Sequence, residues 1–344
     1  MPTSIPSTHA DAFSSRVAPS TARNAAARYR TSGAWQGVQQ LCTTLIPLAA
    51  LLWLMYRSLS HSYWITLLLA LPAAGFLVRT FIIMHDCSHG SFFPSRRANE
   101  IVGFVTGVLT LTPFVYWRRD HALHHASSGD LDRRGHGDVL TLTVDEYLSR
   151  SPSGRLKYRL YRNPFILFVF GPLYMLVNHR WTPVSNTTSA KVSVHATNAA
   201  ILALFAVFSF AIGIKAVLLV YFSVFFIAAA SGIWMFYVQH QFEDTYWEHH
   251  AEWDYTTAAM RGSSYYKLPR VLEWLTGSIG LHHIHHADPK IPNYNLRRCH
   301  DENHEFQTVP QLTFRKSLRT ASLKLWDSEQ GRLVGFDAVR KRAG

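Results

Sequence analysis

The chain has 344 residues, a formal net charge of +12 at pH 7 and three cysteines. A nucleic-acid binder could carry that excess of charge. Here, however, Lys and Arg lie between long apolar runs, as in a membrane protein whose cytoplasmic loops are basic, and this argues against a nucleic-acid surface. Cys42, Cys87 and Cys299 show no framework spacing, so no structural disulfide is expected and the polar part belongs on a reducing side.

Residues 1–36 are rich in Ser, Thr, Ala and Arg, with Asp11 the only acid, and this predicts a disordered basic tail. The composition fits a cytoplasmic tail and also an organelle transit peptide. Four apolar runs follow, at about 38–56, 63–84, 192–214 and 216–238. Each is close to the ~20 residues a helix needs to cross hydrocarbon. Arg79 lies near the end of the second run and can snorkel to the interface. Arg16, Arg23, Arg28 and Arg30 precede the first run, so the positive-inside rule places the N-terminus in the cytoplasm, and four spans return the C-terminus there.

Two further apolar stretches, 101–117 and 164–178, are short and broken by Gly or Pro. As full spans they would separate the histidine clusters described next, so an interfacial or re-entrant course is expected. A tight turn at Lys215 joins the third and fourth spans. Within the third, His195 and Asn198 are expected to make interhelical hydrogen bonds. Residues 311–344 form a basic tail, in which 312-LTFRKSLRTASLKLW-326 predicts an amphipathic helix lying on an anionic membrane surface.

The chemistry is carried by three histidine boxes, 85-HDCSH-89, 121-HALHH-125 and 282-HHIHH-286. On a helix, residues three and four apart share a face. That groups His85 with His89, His121 with His124 and His125, and His282 with His285 and His286. Catalytic zinc takes three ligands and structural zinc four, so eight imidazoles imply two ions. No Glu-x-x-His and no His-Glu-x-x-His occurs, which leaves a carboxylate-bridged site and a zincin protease without support. An all-nitrogen, redox-capable pair at a membrane surface suits O2 activation, by iron or, as the chemical alternative, copper. His240 follows the fourth span and is a candidate ninth ligand, ahead of His249 and His250. Asp86, Asp120, Asp130, Glu243 and Asp244 are near enough in sequence to support ligands from behind. His283 points off its box's shared face and fits that supporting role too, whereas Cys87 reads as a small residue on the far side of its helix. His9, His61, His136, His179, His300 and His304 have no assigned role.

These residues resemble the integral-membrane fatty acid desaturases, especially the bacterial acyl-lipid branch and the plant-type omega-6 enzymes. The matching segments are 85-HDCSHGSFF-93, 117-WRRDHALHHASSGD-130, 159-RLYRNP-164, 237-YVQHQFED-244 and 281-LHHIHHADPKIPNYNL-296. The resemblance runs from about Gly75 to Leu296 and implies an all-α membrane fold, with four transmembrane helices carrying a cytoplasmic helical cap. It also implies a di-iron site in that cap, above a tunnel for the acyl chain. The iron ligands would be His85, His89, His121, His124, His125, His282, His285 and His286, with His240 as the additional histidine. Phe236 stands where some family members have Asn, and Ser88 where many have Gly. The implied reaction removes two hydrogens from a membrane lipid's acyl chain with O2 and two external electrons. No haem or ferredoxin-type cysteine motif is present, so the donor is a separate protein, a ferredoxin or a cytochrome b5. A ferredoxin suits a bacterial inner-membrane protein.

Two rivals are weighed against this reading. A di-iron hydroxylase or carotenoid ketolase would share the boxes, and 159-RLYRNP-164 with 289-PKIPNYNL-296 favours the desaturase. A histidine-rich metal transporter would line its spans with polar residues. The third and fourth spans hold no acid and no histidine beyond His195.

Overall fold

The computed structural model describes residues 24–135, 139–181 and 187–339. Long helices dominate. Among the described residues, four are long and apolar enough to cross a membrane: α1 (Ala34–Ser58), α2 (Tyr63–His89), and the later pair Thr188–Ile212 and Ile214–His240. All four start at or before the sequence limits, and all but the third, which stops at Ile212, end beyond them. The largest extension is in α2, which continues from 84 to His89, so the first histidine box is the last turn of the span itself. Gly90 ends the helix in the left-handed region at φ 65°, and its N–H returns to the carbonyls of Asp86 and Cys87.

After α2 the chain folds back through α3 (Arg96–Leu109) and α4 (Phe114–Ser127), which meet at a bend of 99°. Pro113 caps α4 and lacks an N–H, and Leu111 has a positive φ of 54°. The carbonyls freed at this break find partners. Tyr221 donates to Leu109 O at 2.5 Å, and Arg180 donates to Leu111 O. The 101–117 stretch is therefore a sharply broken helix pair. The 164–178 stretch behaves similarly. After the small strand β1 (Leu142–Thr143) and α5 (Val144–Ser149), α6 (Pro152–Tyr161) meets a π-helical segment (Ile166–Phe170) that runs into α7 (Gly171–Trp181), with a bend of 62° between them.

The third and fourth long helices are α8 (Thr188–Ile212) and α9 (Ile214–His240). Their turn is at Gly213 and not at Lys215, because φ is 87° there and glycine has no Cβ to oppose it. Asn198 makes the expected interhelical bond, accepting from Arg180 at 2.7 Å, while His195 is exposed. α2 is the central helix: 56% of its apolar window is buried, against 6% for α8. Its small residues Ala70, Ala73 and Ala74 pack with Leu48 of α1 and Val220, Val224 and Ala228 of α9.

The remaining elements form the cap. In order they are α10 (Tyr255–Arg261), β2 (Tyr265–Lys267), α11 (Arg270–Leu275), α12 (His282–Ala287), α13 (Asn293–Glu302), β3 (Gln311–Thr313), α14 (Phe314–Thr320), β4 (Leu325–Asp327) and β5 (Arg332–Val334). β2 pairs with β3 in parallel, and β1–β4–β5 form a second small sheet with Trp326 opposite Leu333. Two tail expectations need correction. Residues 24–36 are anchored to the cap, with Ala25, Ala26 and Tyr29 buried, because Tyr29 reaches Glu302 at 2.6 Å and Arg30 reaches Asp288 at 2.6 Å; residues 1–23 and His136 lie outside the described part. The 312–326 segment is not one surface helix. Only Phe314–Thr320 is helical, and Leu325 and Trp326 are buried in the sheet.

Candidate metal centre

Four helix segments converge on one point. His85 and His89 close α2, His121, His124 and His125 lie on α4, His240 is the last residue of α9, and His282, His285 and His286 lie on α12. The nine imidazoles fall into two groups. His85, His89, His121, His125 and His285 form one, and His124, His240, His282 and His286 the other, with the donor atoms of each group within 4.8 Å of one another. The shared-face grouping is thus only partly kept. The second and third boxes each divide between the two groups: the i,i+4 pairs His121/His125 and His282/His286 stay together, while His124 and His285 each join the other group. His125 and His286, from different groups, stack at 4.2 Å between centroids and place the two groups side by side.

The donor set fits a pair of transition-metal ions. In the first group Nε2 of His121 lies 3.0 Å from Nε2 of His85 and 3.1 Å from that of His125, which is 2.9 Å from Nε2 of His285. In the second, Nε2 of His240 lies 3.2 Å from that of His124 and 2.9 Å from that of His282, and His286 follows at 3.1 Å from His282. Metal–nitrogen bonds of about 2.0–2.1 Å span polyhedron edges of about 3.0–3.4 Å, so these separations suit one ion per group. His89 Nε2 is buried without a hydrogen-bond partner, as expected of a lone pair kept for a metal.

Two tautomers are fixed from behind. Nδ1 of His85 donates to Asp86 Oδ1 at 3.0 Å, and Nδ1 of His240 donates to the Gly262 carbonyl at 3.1 Å, which leaves both Nε2 lone pairs inward. Asp86 is itself held. Its Oδ2 accepts from the backbone N–H of Asn293 at 2.6 Å and from Asn293 Nδ2 at 2.8 Å, and Gln40 of α1 donates to Asn293 Oδ1 at 3.0 Å. Asn293 opens α13, so its N–H is one of the donors that a helix start leaves free. Sequence reasoning included Asp86 among five acids but assigned no role to Asn293 or Gln40. Their signal is only positional, since they lie hundreds of residues apart in sequence and meet only in the fold.

Burial, with the neighbouring imidazoles adding to it, holds His121, His125, His282, His285 and His286 well below the ordinary histidine range. Neutral imidazoles are the form that binds metal. Trp117 stacks on His121 at 4.3 Å, and Phe236 lies 5.0 Å from the His124 ring and 5.2 Å from that of His240, so aromatic rings flank both groups.

The other candidates are elsewhere. His283 is buried but bonds the Phe306 carbonyl at 3.0 Å and sits beside His300, so it supports no ligand ring. His249 and His250 are exposed and bond Asp132 and Asp130. Asp130 also pairs with Arg133, and Glu243 pairs with Arg332. Cys87 is packed among Ile83, Met84 and Phe92.

Residues 62–316 match the family model described as Fatty acid desaturase. The chain belongs to the fatty acid desaturase family. A fatty acid desaturase from Bacillus subtilis (strain 168) is 47% identical over 302 residues, which cover 88% of this chain and 86% of that protein. An sn-1 oleoyl-lipid 12-desaturase of Anabaena variabilis is 28% identical over 259 residues, 73% of this chain and 72% of that protein. A chloroplastic omega-6 fatty acid desaturase of Spinacia oleracea is 29% identical over 240 residues, 65% of this chain and 50% of that protein. Desaturases are oxidoreductases, and this desaturase carries a two-group histidine centre beside its membrane helices.

Proposed function

We propose that this desaturase inserts a cis double bond into the acyl chain of a membrane lipid, using O2 and two electrons from a separate donor. The observation that carries the reading is the five-plus-four grouping of imidazoles in a chain of this family. His85, His89, His121, His125 and His285 would hold one iron, and His124, His240, His282 and His286 the other. Two irons bound there would supply the binding and reduction of O2, and so the oxidising power that takes two hydrogens from adjacent methylenes. The balance is one alkane segment, O2, two electrons and two protons giving one alkene and two waters.

The protein's own part is positional. Asp86 and the Gly262 carbonyl fix the tautomers of His85 and His240, and burial keeps His121, His125, His282, His285 and His286 neutral and bulk water out. No side-chain acid or base is required. An acyl-lipid substrate follows the named activity of the Anabaena relative. The donor is a ferredoxin, with cytochrome b5 as the other candidate, the location is the bacterial inner membrane, and both termini are cytoplasmic.

The test is a fatty acid profile. The chain is expressed with a compatible ferredoxin in a bacterium poor in polyunsaturated lipids, and methyl esters are analysed by gas chromatography–mass spectrometry with double-bond location. A new alkene, missing in a His124→Ala control, is expected. A new alcohol or ketone would replace the reading with the hydroxylase or ketolase one.

A further inference from the structure

Eight of the nine clustered histidines are buried residues; His89 alone is half-buried. Its Nε2 is nonetheless buried, so the ring points inward while its main chain lies at the surface. Lys290 Nζ donates to the His89 carbonyl at 2.6 Å, and exposed Gly90 follows it. One residue therefore links the cap surface to the centre.

Three chain segments, 30–37, 90–97 and 289–295, form the surface around that residue. Tyr294 ties them together: its hydroxyl accepts from Gly33 N at 3.1 Å and donates to Phe92 O at 3.0 Å. Asn295 adds a bond to Thr31 O at 3.0 Å. Together the segments carry Arg30, Arg96, Arg97 and Lys290 and contain no Asp or Glu. Arg96, Arg97 and Lys290 are exposed, and Arg30 lies over buried Asp288 with 48% of its side chain accessible. The result is a cationic face above the one ligand that reaches the surface.

We infer that this face is the docking surface for a small acidic electron-carrier protein, which delivers its electrons through His89. The inference rests on the desaturase reading, in which two electrons come from outside. Electron tunnelling weakens steeply with distance, so a donor gains most where a ligand's own main chain is exposed. Complementary charge raises the encounter rate and sets orientation. In each transfer the reduced carrier loses one electron and the centre gains one, and two such transfers supply one turnover.

The test uses the full-length protein in nanodiscs of neutral lipid, with a reduced acidic ferredoxin as the carrier. Arg96→Glu with Arg97→Glu is expected to raise the KM for ferredoxin by about tenfold at low ionic strength and to abolish the salt dependence seen in the wild type. Arg96→Gln with Arg97→Gln gives a smaller rise, and Lys157→Glu, on α6, leaves KM unchanged. After reduction by dithionite, which needs no docking, a single turnover with O2 forms wild-type amounts of alkene in all of them. Unchanged ferredoxin KM in both Arg96/Arg97 variants overturns the docking surface. So does a charge-reversal effect that appears only in anionic-lipid nanodiscs, which would assign the face to the membrane, or a loss that dithionite does not bypass, which would make the arginines structural. No alkene from the dithionite-reduced wild type would instead bring down the desaturase reading on which the inference stands.

Discussion

Asp86 links a metal-ligand ring to the rest of the molecule. It orients His85 through one oxygen and accepts twice from Asn293 through the other. Asp86→Asn keeps the shape but replaces an acceptor with a donor that faces two further donors. Outer partners of this kind are worth about 10–100-fold in metal affinity. We expect Asp86→Asn to weaken binding at the five-histidine group by that factor and to leave the four-histidine group unchanged, as measured by metal titration of the purified apoprotein. Equal loss at both groups would mean a general unfolding. The box residues themselves were legible from spacing alone. Their assignment to two groups was not, because shared-face reasoning treats each box as one unit, whereas His124 and His125 are adjacent in sequence and belong to different groups.

Among the elements, the cap is fastened by a buried cation. Arg162 is fully buried and donates to Leu140 O and Thr141 Oγ1, both at 3.0 Å, to Gln241 Oε1 at 2.8 Å and to Leu323 O at 3.1 Å. It thus joins the β1 strand region, the end of α9 beside His240 and the chain entering β4. Arg162→Met leaves several buried acceptors unpaired, so a loss of about 3 kcal/mol or more is expected, seen as a lower thermal midpoint in detergent. A midpoint equal to the wild type would contradict this role. Lys324 lies against the same knot, donating to Arg162 O at 2.6 Å. Burial, with the Arg162 charge adding to it, pushes its ammonium down to about 8, whereas an unfolded lysine titrates near ~10.4. Between those values the unfolded chain keeps the proton and the folded chain does not, so stability rises with pH across the window. Lys324→Met should remove that rise when midpoints at about pH 8 and about pH 10 are compared, and identical slopes in both proteins would refute it. The amphipathic reading of 312–326 failed at this scale. Leu325 and Trp326 find their cover in Leu142 and Leu333, strand partners about 180 residues earlier and seven residues later, which no helical periodicity records.

At the scale of the whole molecule, the ends of α2 and α9 meet at the centre, and the start of α2 lies against the first half of α9, with Tyr63 bonding Ser223 at 2.8 Å. The turns at Leu59–Ser62 and Gly213 therefore share the end opposite the cap. The four spans were legible from hydropathy, since it depends only on summed composition. The bends of 99° and 62° were visible only as Gly and Pro interruptions, because their angles depend on tertiary partners such as Arg180 and Tyr221. A cysteine placed at His61 or Lys215 should react with an impermeant maleimide on intact cells, and one at Lys157 only after lysis. The reverse pattern would invert the topology.

The central claim, that nine histidines hold two irons in two separate groups, is tested most directly by the metal content of the purified protein. The account predicts close to two irons per chain in the wild type. Either His89→Ala or His240→Ala should reduce that to about one, with a different iron lost in each and distinct spectroscopic signatures for the iron that remains. One zinc per chain and no iron, or two irons retained in both variants, would contradict it.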